Sequence, residues 1–127
     1  MAPDFVLSLS EGPGMSADTP DPPFLAVIFT SKHSGQDVEE YGRVADRMIE
    51  LAAQQDGYLG IESARSENGP GITVSYWRDE ECINAWYRNA EHRDARRRGR
   101  EKWYEHFHLR VAQVHRTYSS QPRVEET

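Results

Sequence analysis

The segment YLGIESARSENGPGITVSYW, residues 58–77, decides the fold of this 127-residue chain. Two strand-like runs, Tyr58–Arg65 and Gly71–Trp77, flank Asn68-Gly69, a dipeptide typical of the tight turn between antiparallel strands. The second run divides into two alternating sets, Ile72, Val74 and Tyr76 against Thr73, Ser75 and Trp77. Because successive side chains of a strand point to opposite faces of a sheet, each set belongs to one face. The segment therefore predicts a β-hairpin.

A helix is predicted on the N-terminal side of this hairpin. The sequence SGQD at residues 34–37 has the form of a capping box, with Ser34 at the cap. Apolar residues then recur at spacings of three and four, the period of one helical face: Val38, Tyr41, Ala45, Met48 and Ala52. Gly57 suits the left-handed residue that follows a helix. We predict a helix over about residues 37–55.

A second helical pattern follows the hairpin. Asp79 is its predicted cap, and one apolar stripe contains Cys82, Ile83, Trp86 and Ala90. The pattern resumes in a new phase at His92, Ala95, Gly99 and Trp103. Six residues separate Trp86 from His92, about 600° of helix, so the two side chains converge only if the helix breaks between them. We predict a kink or loop near Asn89–His92.

Two further strand-like runs complete the pattern. They are Phe24–Phe29 before the first helix and Phe107–Tyr118 at the end of the domain. The order βαββαβ predicts an α+β, ferredoxin-like fold with a four-stranded antiparallel sheet and both helices on one face. The other face needs a cover, because apolar residues occur on both faces, as with Val111 beside Ala112. The simplest cover is a second copy of the sheet, which predicts a homodimer.

Composition divides the chain into three parts. Residues 1–23 hold five prolines and four acids without Lys or Arg, which predicts a disordered N-terminal arm. The domain is predicted over residues 24–119 and a polar tail over 120–127. Met15 is an alternative start. One cysteine, Cys82, excludes an intrachain disulfide framework and a four-cysteine metal site.

Charge and hydropathy exclude some partners. The net charge is −6, which argues against nucleic acid despite a basic run at residues 93–102. That run is interpreted as a solvated helix face, with an anionic substrate or a partner chain as alternatives. No apolar run is long enough to cross a membrane and no signal-peptide pattern begins the chain, so we expect a cytoplasmic protein that binds no membrane.

Several of these motifs together resemble the antibiotic biosynthesis monooxygenase (ABM) domain family. They are GYLG at residues 57–60, ITVSYW at 72–77, Trp86, Glu91-His92 and Trp103-Tyr104, within about residues 24–118. The resemblance implies a dimeric α+β barrel. It also implies one of several activities, since the family includes cofactor-independent monooxygenases of aromatic polyketides and haem-degrading enzymes. Fold membership alone does not choose between them.

The haem-degrading branch can be compared residue by residue. Its pattern implies an asparagine in the first strand, a tryptophan in the second helix and a histidine about ten residues later. Trp86 matches the tryptophan, but Arg96 stands ten residues on and Phe24–Phe29 contains no asparagine. We therefore expect no cofactor, with haem disfavoured.

Six residues are candidates for the site. His92 is the candidate catalytic base because its ordinary pKa lies near 6.5; alternatively it caps a helix or bonds a backbone carbonyl between two helical pieces. Trp86, Tyr76, Trp103 and Tyr104 are candidate substrate-binding walls, or core packing. Arg96 is a candidate partner for a substrate anion, or a surface residue.

No metal site is expected, since His106, His108 and His115 lack a recognised ligand pattern. The resemblance implies a cofactor-independent monooxygenase of a small aromatic substrate, quinone-like or polyketide-like, with the six candidate residues as its site. In such chemistry the substrate anion itself reduces O2, so the protein binds, deprotonates and shields it. The alternatives are a non-catalytic dimer that binds a small ligand and, less favoured, a haem-degrading monooxygenase.

Overall fold

A computed structural model of the protein describes residues 17–66 and 69–120. Its elements, in chain order, are β1 (Phe24–His33), α1 (Val38–Ala53), β2 (Tyr58–Arg65), β3 (Pro70–Trp77), α2 (Glu80–Arg88), α3 (Ala90–Arg98), a π-helical turn (Gly99–Trp103) and β4 (Tyr104–Val114). Among these described residues, no helix is long and apolar enough to cross a membrane.

The four strands form one antiparallel sheet in the order β2-β3-β1-β4. Val27 in the central strand pairs with Ser75 and Val111, and paired residues share a face. Val27 also packs against the buried cluster of Ala52, Trp77 and Cys82, which joins α1, the sheet and α2. This side is called the helix face and the other side the open face. The ferredoxin-like prediction is confirmed.

The second helix is divided as predicted. Asp79 caps α2, because its side chain accepts a hydrogen bond from the Cys82 backbone N–H at 3.0 Å. Asn89 lies between α2 and α3, where its backbone N–H donates to the Trp86 carbonyl and its side chain accepts from the His92 N–H at 3.1 Å. One residue thus ends one helix and begins the next, so the predicted break near Asn89–His92 is confirmed.

The predicted capping box is wrong. The residue before α1 is Asp37, in the left-handed region at φ 51°, and its side chain makes no capping hydrogen bond. Ser34 instead accepts from the Gln36 N–H at 3.1 Å and donates to the Lys102 carbonyl at 2.6 Å. The Ser34 hydroxyl therefore holds the loop before α1 against the π-helical turn, a long-range contact that local sequence does not reveal.

Two strand boundaries also differ from the prediction. β1 continues four residues past Phe29, because its polar end pairs with both β3 and β4. β4 begins at Tyr104 rather than at residue 107 and ends at Val114 rather than at residue 118. Backbone hydrogen bonds to neighbouring strands hold these polar segments extended, although their side chains show no apolar alternation.

The open face is partly covered by residues near the N-terminus. Phe24 is buried, and its ring meets that of Tyr76 edge-on at 5.7 Å. Glu62 accepts from the Tyr76 hydroxyl at 2.7 Å and from the Ala17 backbone N–H at 2.8 Å. Residue 17, inside the predicted arm, thus contacts the sheet. Residues 1–16 and 121–127 lie outside the described residues, so the predicted domain boundaries stay predictions.

Candidate active site

An apolar floor lies on the helix face along β4. Phe107, Leu109 and Val111 pair with Ser31, Phe29 and Val27, and so share their face. The three side chains are 40–48% exposed, because α1 and α2 pack mainly over β2 and β3. Large apolar side chains left open beside a helix layer form the kind of surface that small ligands cover. Together with Val27 and Phe29, they form an uncovered apolar strip, which is the apolar floor of what we call the cleft.

At one end of this cleft, three aromatic rings are stacked. The Trp86 ring lies 6.1 Å from that of the fully buried Trp77, at an interplanar angle of 23°. The His92 ring also stacks on Trp86, with its centre 4.0 Å away and its plane inclined by 11°. The break at Asn89 turns α3 so that these two side chains meet. We call this group the Trp86 stack.

His92 has one ring nitrogen occupied by the backbone. Its Nδ1 lies 2.9 Å from the Trp86 carbonyl oxygen, which only accepts hydrogen bonds, so Nδ1 carries the proton and Nε2 the lone pair. Burial lowers the pKa of His92 to about 4, with the charge of Arg96 acting in the same direction. The histidine therefore bonds a backbone carbonyl between two helical pieces, the structural alternative. Its role as a base stays a prediction.

Arg96 is folded back onto α2. Its guanidinium carbon lies 3.6 Å from the centre of the Tyr87 ring, and its Nη2 donates to the Tyr87 carbonyl at 2.7 Å. Its Nε is buried and has no partner among the described residues. Arg96 thus contacts α2 rather than a ligand, although it is close enough to His92 to lower the pKa of the imidazole.

The opposite end of the cleft is a group of rings around Tyr41. We call it the Tyr41 cluster; its members are His33, Tyr41, Arg65, Trp103 and Tyr104. Ring centres lie between 4.5 and 5.8 Å from that of Tyr41 for the three other aromatic members. The Tyr104 ring also contacts Phe29 at 5.3 Å and Phe107 at 6.2 Å. Tyr104 therefore connects the cluster to the apolar floor.

Two buried donors in the Tyr41 cluster have no acceptor. His33 Nδ1 accepts a hydrogen bond from the Gly35 backbone N–H at 2.9 Å, so the proton of the neutral ring is on Nε2. Neither this Nε2 nor Trp103 Nε1 has a partner in the part of the chain that the structure describes. An unsatisfied buried polar group costs about 1–3 kcal/mol, which makes such atoms rare in folded proteins.

Burial, together with a nearby positive charge, favours the neutral form of the histidine in this cluster. Burial lowers the pKa of His33, and the charge of Arg65 adds to this effect. Burial also raises the pKa of Tyr104, helped by Tyr41, whose hydroxyl oxygen lies 3.3 Å from that of Tyr104. At neutral pH the cluster therefore presents uncharged N–H and O–H groups and one guanidinium.

Arg65 is held by oxygen atoms that carry no charge. Its Nη1 donates to the Gly69 carbonyl at 2.7 Å and its Nη2 to the Ser31 hydroxyl at 3.1 Å. It lies over Gly71, where a Cβ would come within 2.6 Å of the guanidinium carbon. Across residues 17–66 and 69–120, no carboxylate forms an ion pair with Arg65.

The candidate residues fall into three places. Trp86, His92 and Arg96 lie at one end of the cleft, and Trp103 and Tyr104 at the other. The ends are separated along β1 by the four residue steps from Val27 to Ser31, about 13 Å at the usual strand rise. Tyr76 is on the open face, because it precedes Trp77 in the same strand. Its grouping with Trp86 was therefore wrong.

Three members of the cluster were not predicted, His33, Tyr41 and Arg65. A signal existed for Arg65, since a charged residue opposite Gly71 in the hairpin falls on the same face as Trp77. Nothing local singles out His33, whose role depends on contacts with α1 and the π-helical turn. For metals, the described residues contain no group of three His, Cys, Asp or Glu side chains that could hold an ion.

Solved structures establish the class of fold. A conserved protein from Methanosarcina mazei Go1 superimposes with a TM-score of 0.64 at 12% identity, over 71% of this chain and 91% of that one. A mutant form of SnoaB, a cofactor-independent oxygenase from Streptomyces nogalater, gives 0.60 at 11% identity, over 81% and 98%. At such low identity these similarities show the ferredoxin-like α+β fold alone.

Sequence comparisons then establish the family. A sequence model of the antibiotic biosynthesis monooxygenase family matches residues 23–98. The uncharacterized protein YqjZ of Bacillus subtilis is 51% identical over 98 residues, 77% of this chain and 85% of its own length. Jasmonate monooxygenase ABM of Pyricularia oryzae is 33% identical over 91 residues, but the chain spans only 42% of its length. This chain belongs to the antibiotic biosynthesis monooxygenase family.

Proposed function

We propose that the protein is a cofactor-independent monooxygenase that oxidises a small aromatic compound, quinone-like or polyketide-like, on the apolar floor. The observation that carries this proposal is the exposure of Phe107, Leu109 and Val111 on the helix face, between two aromatic ends. A flat ring system laid on these side chains would cover apolar surface that water now contacts. Relatives named as monooxygenases add support.

The proposed reaction needs no resident cofactor, because the substrate supplies all four electrons that O2 takes up. The ionised substrate passes one electron to O2, and the resulting radical pair joins at carbon to give a peroxide. Protonation of the peroxide, loss of the remaining C–H proton and cleavage of the O–O bond release water and leave a carbonyl. Overall, a CH2 group and O2 become C=O and H2O. The protein's task is to bind the anion and to exclude water.

The two ends of the cleft have different parts in this proposal. Trp86 packs against one edge of the ring system, and Tyr104 against the other. His92 Nε2 is the lone pair that could receive a substrate proton at the Trp86 stack. Its pKa of about 4 makes it a weak base, so it suits only substrates whose hydroxyl is already acidic.

We further propose that the protein acts as a cytoplasmic homodimer. Ile72 is 41% exposed on the open face, where a groove of about 340 Å³ is lined by residues that include Thr30, Ile72, His106 and His108. A second copy of the sheet would cover this apolar surface, as the family resemblance implies. Haem is not part of the proposal, since Arg96 occupies the position where the haem-degrading branch has its histidine.

The second candidate is a non-catalytic protein that binds a small ligand in the same cleft. One observation favours it: His92 already has a structural partner, and burial makes it a poor base. This candidate predicts ligand binding at the floor without oxygen consumption.

Oxygen uptake decides between the two. The full chain is mixed with a panel of hydroquinones and anthrones, and with jasmonate because one relative is named for it; haemin is added in a separate series. Leu109→Gln places an amide on the floor and should raise KM about tenfold, since it removes apolar contact. His115→Gln, at an exposed residue just after β4, should leave KM unchanged. No substrate-dependent uptake across the panel would refute the monooxygenase.

A further inference from the structure

The Tyr41 cluster contains hydrogen-bond donors whose acceptor is missing. His33 Nε2–H and Trp103 Nε1–H are both buried without a partner, and both rings pack on Tyr41. The tautomer of His33 is not free to change this, because the Gly35 N–H requires Nδ1 to accept. The two groups can be satisfied only by an acceptor that the described residues do not supply.

The positive charge of Arg65 also favours a ligand that accepts hydrogen bonds, in particular an anion. Arg65 lies 5.7 Å from the centre of the Tyr41 ring and bonds only uncharged oxygens among the described residues. Glu40, on the same helix as Tyr41, is already paired with Arg98 at 3.1 Å and Lys102 at 3.0 Å. Within this part of the structure, no carboxylate neutralises the guanidinium of Arg65.

We propose that the Tyr41 cluster is the subsite for a ligand oxyanion, a phenolate or enolate oxygen, with His33, Arg65 and Trp103 as its donors. The assignment rests on the proposed function and deepens it, because it selects substrates that bind as anions. Tyr104 connects the subsite to Phe29 and Phe107, so the ligand's apolar body lies on the floor while its oxygen faces the donors. Charge-assisted hydrogen bonds of this type favour the ionised form of the ligand.

This subsite also removes a difficulty in the proposed reaction. A site that binds the anion selects substrate that has already lost its proton to bulk water, so no strong protein base is required. His92, with its Nδ1 engaged and its lone pair at the far end of the cleft, is then dispensable for ionisation. His33 and Arg65 stabilise the negative charge of the substrate anion before the anion passes an electron to O2.

The test uses 4-nitrophenol, whose visible absorbance reports its ionisation, and 4-nitroanisole, its neutral methyl ether. The full-length protein should bind the phenolate at least about tenfold more tightly than the ether, the ratio expected from one charge-assisted hydrogen bond. His33→Leu and Arg65→Met should remove this preference. The matched controls, Arg110→Met on β4 and His115→Leu at an exposed residue just after it, should keep it.

A second measurement needs no variant at the subsite. The indole N–H of Trp103 should shift in the NMR spectrum when the phenolate binds, because it gains an acceptor. Trp77 is the internal control, since its Nε1 already donates to the Ser75 hydroxyl at 2.8 Å. Equal binding of phenolate and ether, or a phenolate that leaves the Trp103 signal unmoved at saturation, would overturn the subsite.

The outcomes separate the subsite from the enzyme. Phenolate binding that depends on His33 and Arg65, without oxygen uptake by any substrate, would retain the subsite and refute the monooxygenase. Oxygen uptake that is unchanged in His33→Leu and Arg65→Met would retain the enzyme and refute the subsite.

Discussion

The Trp86 stack and the Tyr41 cluster are both aromatic and each contains a partly buried histidine, but the two histidines are opposite tautomers. In the stack, His92 Nδ1 donates to the Trp86 carbonyl, and its lone pair is on Nε2. In the cluster, His33 Nδ1 accepts from the Gly35 N–H, and its Nε2 is a donor. Burial lowers the pKa of both.

This difference indicates that His92 has a structural role and that His33 is available to bind a ligand. The hydrogen bond of His92 stabilises the junction between α2 and α3, so the stack is complete without a ligand. In the described residues, two N–H donors of the cluster have no acceptor, and its guanidinium has no anionic partner. Aromatic content did not distinguish the two histidines; their hydrogen bonds did.

The largest expected effect is the loss of the stack. Trp86→Ala removes the ring that contacts both Trp77 and His92, and should lower the free energy of unfolding by about 2–4 kcal/mol, somewhat less than for a fully buried tryptophan. Urea unfolding of the full chain measures it. Tyr118→Ala, at a tyrosine that is 86% exposed, should change stability by less than about 0.5 kcal/mol. Similar losses in both variants would show that the stack is not structural.

The next largest effect is a change of the free energy of unfolding with pH, which tests whether the fold holds His92 in its neutral form. Its pKa is about 4 when folded and 6.5 when exposed, so between these values only the unfolded chain binds the proton. The free energy of unfolding should therefore fall by about 2–3 kcal/mol as the pH decreases from 6.5 to 4. His33 contributes in the same direction, since its pKa is also lowered.

The control for this titration is His92→Gln, which should lose most of the slope, whereas His115→Gln at an exposed residue after β4 should keep it. Carboxylates with lowered pKa values, such as Asp79 and Asp94, act mainly below this window, because their ordinary pKa is 3.8. A slope unchanged in His92→Gln would mean that the imidazole is not held neutral by the fold.

The smallest effect on stability is expected at the other end of the cleft. Gly71→Ala places a Cβ 2.6 Å from the guanidinium carbon of Arg65, so the side chain must leave the Gly69 carbonyl and the Ser31 hydroxyl. Because Arg65 is flexible, stability should fall by only about 1 kcal/mol. The preference for 4-nitrophenolate over its ether should fall several-fold, measured by absorbance titration.

Gly42→Ala is the matched control for that variant. A Cβ at Gly42 meets nothing within 4 Å, so the change should raise helix stability slightly and leave phenolate binding unchanged. If Gly71→Ala bound the phenolate like the wild type, Arg65 would not be a donor of the subsite.

Part of the candidate site could be predicted from sequence. Trp86, His92, Trp103 and Tyr104 are large residues at helical spacing or at the end of a helix, and the structure places all four along one cleft. Tyr76 was misplaced, since its alternation with Trp77 puts the two residues on opposite faces and the helices pack on the side of Trp77. His33 was missed because it follows a polar stretch, Thr30–Lys32, that only the strand pairing holds in β1.

Local patterns by themselves determined the order of the elements, the hairpin, the Asp79 cap and the break at Asn89. These depend on periodicity and on side chains that bond backbone groups a few residues away, which short-range sequence contains. The tertiary structure decided which histidine has a structural hydrogen bond and which buried donors have none. The tautomers of His33 and His92, the donors left unpaired and the uncovered side of β4 depend on contacts between residues far apart in the chain, and no local pattern encodes such contacts.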